Sequence, residues 1–338
     1  MKKIRWGIIG CGGIARRRTI PGLLLAKNAV CAAIMDTNEE SLNATGEEFG
    51  IEKRYLTVEE LLDDKEIDAV YIATPVFCHK EQVFLAARAG KHILLEKPMG
   101  LTVAECREIK EICEAAGVKL GVGFMMRFHG AHTEIKKFLN TGAIGEVVSA
   151  YAKFNCLYPV SPARWRQTKA FSAGGAMMDM GIHCIDLLTH LTGLKVKKVA
   201  AIAGNQIFDY PDVEDAASAV FGMDNGAIFT VEANFNIPDT VGGCKFEIYG
   251  TKGSISAVGT IGQLEVGTVQ YITEDKADEG YKTLPYESGN MYTKETEYFS
   301  EAILNGTAAP VSADEGITDQ LIVEAVYESS ESGKTVSL

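Results

Sequence analysis

Residues 4–15 read Ile4-Arg5-Trp6-Gly7-Ile8-Ile9-Gly10-Cys11-Gly12-Gly13-Ile14-Ala15, an apolar run that breaks into glycines and then turns helical. Gly10, Gly12 and Ala15 make a G-x-G-x-x-A turn between a strand and a helix. Gly10 allows the tight turn, Gly12 lets the backbone approach a pyrophosphate, and Ala15 lets the helix pack closely on the strand. The helix start adds free N–H groups and the positive end of a dipole. A second apolar run, Ala29–Met35, ends in Asp36, where a carboxylate can take the hydroxyls of an adenosine ribose. Cofactor contacts are therefore expected from Gly10, Gly12, Gly13, Ile14, Ala15 and Asp36. A carboxylate repels a 2′-phosphate, and Thr37 and Asn38 bring no cation, so the expected cofactor is NAD. Arg16 and Arg17 on the first helix keep NADP open.

Outward from this turn the chain alternates. Further apolar runs over 68–74, 92–95 and 118–123 are separated by helical stretches over 38–49, 79–89 and 102–116. Such alternation builds a parallel sheet covered on both faces, so an α/β Rossmann domain is expected over 1–123. Beyond Gly123 the pattern changes. Period-two strands over 146–154, 196–203, 216–221, 227–235, 245–249 and 254–258 are joined by glycine-rich turns such as Asp224-Asn225-Gly226. One helix (133–140) precedes them, a long one over 175–191 interrupts them, and two close the chain over 292–305 and 314–332. The expectation for 124–338 is an α+β domain with a large, mainly antiparallel sheet.

Composition limits the function. The 338 residues carry 33 Lys+Arg against 45 Asp+Glu, a net charge of −12, which argues against nucleic acid and anionic membranes as partners. Apolar stretches such as Ile67–Ala73 fall short of the ~20 residues of a membrane-spanning helix, and the first residues lack the apolar core of a secretion signal. A cytoplasmic protein is expected. Its eight cysteines are scattered without a C-x-x-C pair, so neither a disulfide framework nor a cysteine zinc site is expected.

Two strand ends carry chemistry. Ala73-Thr74-Pro75 closes one at the carboxyl edge, where open α/β sheets bind ligands, and His79 follows as a helix cap or a contact on the nicotinamide side. Glu96-Lys97-Pro98 closes the next. A lysine projected there can polarise a hydroxyl or carbonyl oxygen, while the bland alternative is a surface lysine paired with Glu96.

These segments, with Ala89-Gly90-Lys91-His92-Ile93-Leu94-Leu95-Glu96-Lys97-Pro98, resemble the Gfo/Idh/MocA family of glucose–fructose oxidoreductase and inositol dehydrogenase. Ser172-Ala173-Gly174-Gly175-Ala176-Met177-Met178-Asp179-Met180-Gly181-Ile182-His183, with Asp186, resembles the family's second signature. The resemblance spans nearly the whole chain. It implies a Rossmann domain followed by a mainly antiparallel α/β domain, with Lys97 as catalytic lysine and Asp179 and His183 completing the site. It further implies cofactor contacts at Thr74, Pro75, His79, Glu96 and Lys97. Val76, where many members carry Asn, bears on one polar cofactor contact only.

Asp179, His183, Asp186 and His190 share one face of an α-helix. Such residues can bind metal, but four positions span about 16 Å and one ion reaches only adjacent pairs. No metal is expected. His183 suits a general base, with Asp179 orienting it or touching substrate; Asp186 and His190 lie deeper and tie the helix to its neighbours. Arg127, Tyr158, Arg164 and Trp165 are the remaining substrate-binding candidates, since arginine beside an aromatic ring suits a sugar or a carboxylate.

The expected function is an NAD(P)-dependent oxidoreductase moving hydride between the cofactor and a secondary alcohol or ketone of a sugar, cyclitol or sugar derivative. The alternative is a redox-neutral glycosidase acting through transient oxidation. A non-catalytic NAD-binding regulator is a third class, against which Lys97, Asp179 and His183 argue. A broad half-apolar sheet face seldom stays in water, so a homodimer or homotetramer through the second-domain sheet is expected.

Overall fold

The apolar runs of the first third pair in parallel, as strands buried on both faces do. β1 (Ile4–Ile9), β2 (Ala29–Met35), β3 (Arg54–Tyr55), β4 (Ala69–Ile72), β5 (His92–Glu96) and β6 (Leu120–Gly123) form one sheet in the order β3-β2-β1-β4-β5-β6. All five pairings are parallel. The order reverses between β1 and β4, which puts a ligand crevice at their carboxyl ends. These observations come from a computed structural model that describes residues 2–161 and 165–338.

The helices of this unit begin and end where local chemistry dictates. Asn38 and Thr102 cap the Glu39–Phe49 and Val103–Ala116 helices by accepting from Ser41 and Glu105 N–H. Thr57 and Glu60 form a reciprocal capping box on Val58–Asp63. Gly50 and Gly117 stop two helices in the left-handed conformation.

The second sheet has nine strands. β7 (Val147–Asn155), β8 (Val196–Gly204), β9 (Ala216–Met223), β10 (Ile228–Asn234), β11 (Lys245–Gly250), β12 (Gly253–Val258), β13 (Thr268–Thr273), β14 (Lys282–Thr283) and β15 (Val336–Ser337) lie in the order β14-β13-β12-β11-β7-β10-β9-β8-β15. Only the β7–β10 pair is parallel. One face is covered by helices, including Ile182–Thr192 against β7. The strands alternate accordingly: Val199, Ala219, Phe221, Phe229 and Val231 are buried, while Ile202, Val220 and Ile228 are exposed.

The chain divides into two compact units, one of residues up to Met125 with Asn290–Thr318, the other of Met126–Gly289 with Asp319–Leu338. A single cut after residue 123 therefore misplaces 290–318. The Met291–Asn305 helix completes the first core. Phe299 packs on Trp6 at 5.8 Å between ring centres, and the Trp6 indole donates to Ser300 Oγ at 3.0 Å. Gly22 lies so close to this helix that a Cβ would meet Tyr292 Cβ at 2.7 Å. Among the described residues no helix is long and apolar enough to cross a membrane.

Two helices start with a wider, π-type turn, Ala15–Thr19 ahead of Ile20–Leu25 and Met177–Gly181 ahead of Ile182–Thr192. Such turns recur at functional sites. Both stand where the site residues cluster.

Candidate active site

The glycine turn is built for a phosphate group. Gly10 has φ +84°, and a Cβ there would meet Thr74 Cγ2 at 2.8 Å, so the ends of β1 and β4 touch through a residue that must lack a side chain. Gly12 and Gly13 face open space. Backbone atoms are thus accessible above a helix N-terminus, and the residues fit a dinucleotide pyrophosphate. Asp36, at the end of β2, accepts from Cys11 N–H at 3.1 Å and from Asn38 N–H at 2.9 Å. The carboxylate is thereby fixed to the glycine turn. Burial, then the Asp36 charge, pushes the Cys11 thiol up to about 12, so it remains an inert S–H.

The neighbouring strand ends are tied from below. His79 is buried, and its Nε2 holds the Thr74 carbonyl at 3.0 Å. It anchors the turn instead of opening to a ligand, and burial pushes its imidazole down to about 4. Thr74 Oγ1 donates to Gln82 at 2.6 Å. Glu96 takes the Tyr71 hydroxyl at 2.5 Å and the Lys97 N–H at 3.2 Å. Burial, then Glu96, holds the Tyr71 phenol well above its usual value, so it stays a donor. Lys97 is half-buried and its peptide bond to Pro98 is cis. On the returning helix, Glu295 is buried with neither carboxyl oxygen hydrogen-bonded. Burial, then the charge of Glu96, drives its pKa well above the usual range.

The second unit carries the other group. Asp179 sits in the π-type turn, partly exposed, and the buried His183 follows in the α-helix with its ring 6.2 Å from that of Phe154. Arg166 Nε stands 3.8 Å from Asp179 Oδ2, and its guanidinium stacks 4.1 Å over the Trp165 ring. This combination of carboxylate, imidazole, guanidinium and indole offers hydrogen bonds and an apolar plate together, which suits a polyhydroxylated ring.

Residues 4–124 match the family described as "Oxidoreductase family, NAD-binding Rossmann fold", and residues 132–256 match the "GFO/IDH/MocA C-terminal domain". The chain is 30% identical over 335 residues to a 1,5-anhydro-D-fructose reductase of Ensifer adhaerens, covering 99% of this chain and 98% of that protein. It is 30% identical to "D-xylose 1-dehydrogenase (NADP(+)) 2" of Haloferax volcanii, covering 98% and 99%. A levoglucosan dehydrogenase solved with NADH and levoglucosan superposes with a TM-score of 0.89 at 27% identity, covering 99% of each chain.

The chain belongs to the Gfo/Idh/MocA family. It is an NAD(P)-dependent oxidoreductase with a Rossmann domain and a second, mostly antiparallel domain, as its motifs implied.

For this Gfo/Idh/MocA chain the expected site residues fall into distinct groups. Gly10, Gly12, Gly13, Ile14, Ala15, Asp36, Thr74 and Pro75 gather at the carboxyl edge of the first sheet, next to Glu96 and Lys97. Asp179, His183 and Trp165 gather in the second unit. Arg127 does not fit the role given to it. Its buried guanidinium grips Asp186 through Nε at 2.9 and 3.1 Å and Nη2 at 2.5 Å, so it ties its segment to the helix. His190 meets Lys136 Nζ at 3.2 Å, again a tie. Tyr158 is half-buried, its ring tilted 42° against that of Phe235 at 5.2 Å, and its carbonyl accepts from the Tyr210 hydroxyl. Arg164 lies outside the described residues. Arg166, which also flanks Trp165, reaches Asp179. Sequence reasoning missed Glu214 and Tyr327, which hold the start of the Asp179 helix.

Proposed function

We propose that this oxidoreductase interconverts a secondary alcohol and a ketone on a sugar, cyclitol or sugar derivative. The observation that carries the reading is the Trp165–Arg166–Asp179 cluster beside His183, an apolar plate rimmed by hydrogen-bonding groups. The reductase and dehydrogenase relatives that act on such compounds support it. The glycine turn and Asp36 would hold the dinucleotide, Gly12 and Gly13 leaving room for the pyrophosphate and Asp36 taking the ribose hydroxyls. NAD is favoured because Arg16 is paired with Glu48 at 2.6 Å and a carboxylate at Asp36 repels a 2′-phosphate. When bound, the nicotinamide supplies the hydride acceptor or donor.

The chain's own groups would handle the proton and the oxygen. His183 takes the hydroxyl proton as general base, and Asp179 fixes its orientation. Lys97 stabilises the developing alkoxide with its charge, held in place by Glu96 and Pro98. In the reverse direction the same groups return the proton. Tyr158, Trp165 and Arg166 would contact substrate. We further propose a homodimer or homotetramer through the open sheet face, where Ile202 is 81% exposed and Ile228 56%. The eight thiols, none in a disulfide, support a cytoplasmic setting.

The test is absorbance of reduced nicotinamide with NAD⁺ or NADP⁺ and a panel of polyols, aldoses and glycosides. Turnover with a polyol or sugar is expected, with NAD⁺ preferred. Lys97→Ala and His183→Ala should each lower kcat by at least about 100-fold while cofactor Kd stays within about threefold. Loss of cofactor binding with turnover spared refutes these roles. Glycoside cleavage without net absorbance change, by protein purified with NAD bound, transfers the assignment to a redox-neutral glycosidase.

A further inference from the structure

The helix that carries Asp179 and His183 starts against a buried carboxylate. Glu214, 7% exposed, accepts Gly175 N–H on Oε2 at 2.9 Å and Met177 N–H on Oε1 at 2.8 Å. Its own carbonyl accepts Ala176 N–H at 3.2 Å. One residue thus satisfies three consecutive N–H groups at a helix start, where four would otherwise lack intrahelical partners. Tyr327, from the last helix, donates its hydroxyl to Glu214 Oε1 at 2.9 Å and accepts Met178 N–H at 3.2 Å. Burial, then the Glu214 charge, holds that phenol well above its usual pKa, which keeps it a donor.

The surrounding backbone is shaped to admit these two side chains. A Cβ on Gly175 would lie 1.9 Å from the Glu214 carbonyl oxygen, and one on Gly174 would lie 2.1 Å from the Tyr327 hydroxyl. Ala173, just before, has φ +67°, a left-handed conformation that costs a non-glycine residue. The Gly174-Gly175 pair therefore exists to let a carboxylate and a phenol reach the helix N-terminus. For a cap alone, one side chain suffices; here two are buried, and the first is a carboxylate at the positive end of the dipole, its pKa raised by burial and drawn back down by the N–H and hydroxyl donors it accepts.

We infer that Glu214, held by Tyr327, is a positioning residue that orients the Asp179–His183 turn and raises the proton affinity of His183. This rests on the reading that Asp179 and His183 act on the substrate. The helix dipole alone would disfavour an imidazolium near its N-terminus. The Glu214 charge, about 10 Å from His183 at 1.5 Å per residue, opposes that effect. At an effective dielectric of about 20 to 40, its removal lowers the His183 pKa by between about half a unit and one unit. Other titratable groups on or against this helix include Asp186, three residues beyond His183 and paired with Arg127, Arg166 beside Asp179, and Cys156, on which Asp179 and Arg166 both act. None of them changes in the variants below.

The experiment is a histidine-ring NMR titration of the intact protein as wild type, Glu214→Gln and Tyr327→Phe, with His183 assigned by the signal lost in His183→Ala. Glu214→Gln should move the His183 midpoint down by about half to one unit, and Tyr327→Phe should move it less in the same direction. The other five histidines should not move. In turnover, Glu214→Gln should lower kcat about tenfold with substrate KM within twofold. An unchanged His183 midpoint in folded Glu214→Gln overturns the inference; if that variant does not fold, an unchanged midpoint in Tyr327→Phe does so. The titration needs no substrate. A shift in a protein that turns over no polyol or sugar would uphold the coupling and refute the proposed function instead.

Discussion

His79 makes the turn that follows β4 sensitive to acid. Its ring is 1% exposed and bonded to the Thr74 carbonyl, and its pKa falls from 6.5 to about 4 on burial. In the unfolded chain it binds a proton below about 6.5, while the folded state refuses one until about 4. The stability is therefore fully present above pH 6.5 and lost as pH falls toward 4. At about 1.4 kcal/mol per unit, some 2.5 units amount to about 3 kcal/mol. His79→Gln removes this term. At pH 7.5 the variant should be less stable by about 1–2 kcal/mol, through the lost hydrogen bond and ring packing. Near pH 4.5 the difference should vanish or reverse. Urea unfolding followed by Trp6 fluorescence in a Trp165→Phe background reports the unit that contains His79, because Trp6 lies in that core. A stability difference constant within about 0.5 kcal/mol from pH 4.5 to 7.5 would sink the reasoning.

Other expectations follow from the same structure. Gly12→Val points its side chain into open space, so unfolding should change little while NAD⁺ affinity falls at least about tenfold; calorimetry with cofactor checks both, and unchanged affinity removes Gly12 from the site. Asp186→Asn leaves the buried Arg127 guanidinium without its anion and should cost about 3–5 kcal/mol in urea unfolding. A cost under about 1 kcal/mol would mean the pair is dispensable. Glu295→Gln should stabilise increasingly as pH rises. The folded carboxyl has a raised pKa, so wild-type stability is full below about 4.5 and is lost with rising pH. Thermal melts from pH 5 to 8 should show a growing gap, and parallel melts would refute it.

The first sheet was legible because five of its six strands are locally marked. Ile4–Ile9 is a continuous apolar run ending in glycines, and Asp36 stands where the second run ends. Period-two alternation exposed β7 to β12 in the same way. β3, β14 and β15 escaped because two-residue strands carry no periodicity. β13 escaped because its Thr-Val-Gln-Tyr-Ile-Thr sits at the sheet's thin end, with three residues half-buried. The π-type turns escaped because a helical pattern does not report a local change of pitch. Long-range pairing was the larger obstacle. Arg127 reads as a free arginine until Asp186, 59 residues away, is seen to hold it. Likewise Glu214 is one acid among many until Gly174 and Gly175 are seen to clear space for it and for Tyr327.

The order in which the chain is made imposes its own constraint. Trp6 finds Phe299 and Ser300 only after the whole of 126–289 has been synthesised, and the first unit's core lacks one wall until then. At about 5–20 residues per second, that interval is roughly ten to thirty seconds of translation. During it the inner face of the nascent sheet is an apolar surface in search of a cover. The intervening unit, by contrast, lacks only the last twenty residues when that cover arrives. Ribosome-bound fragments ending before residue 290 would therefore be the species that chaperones must shield.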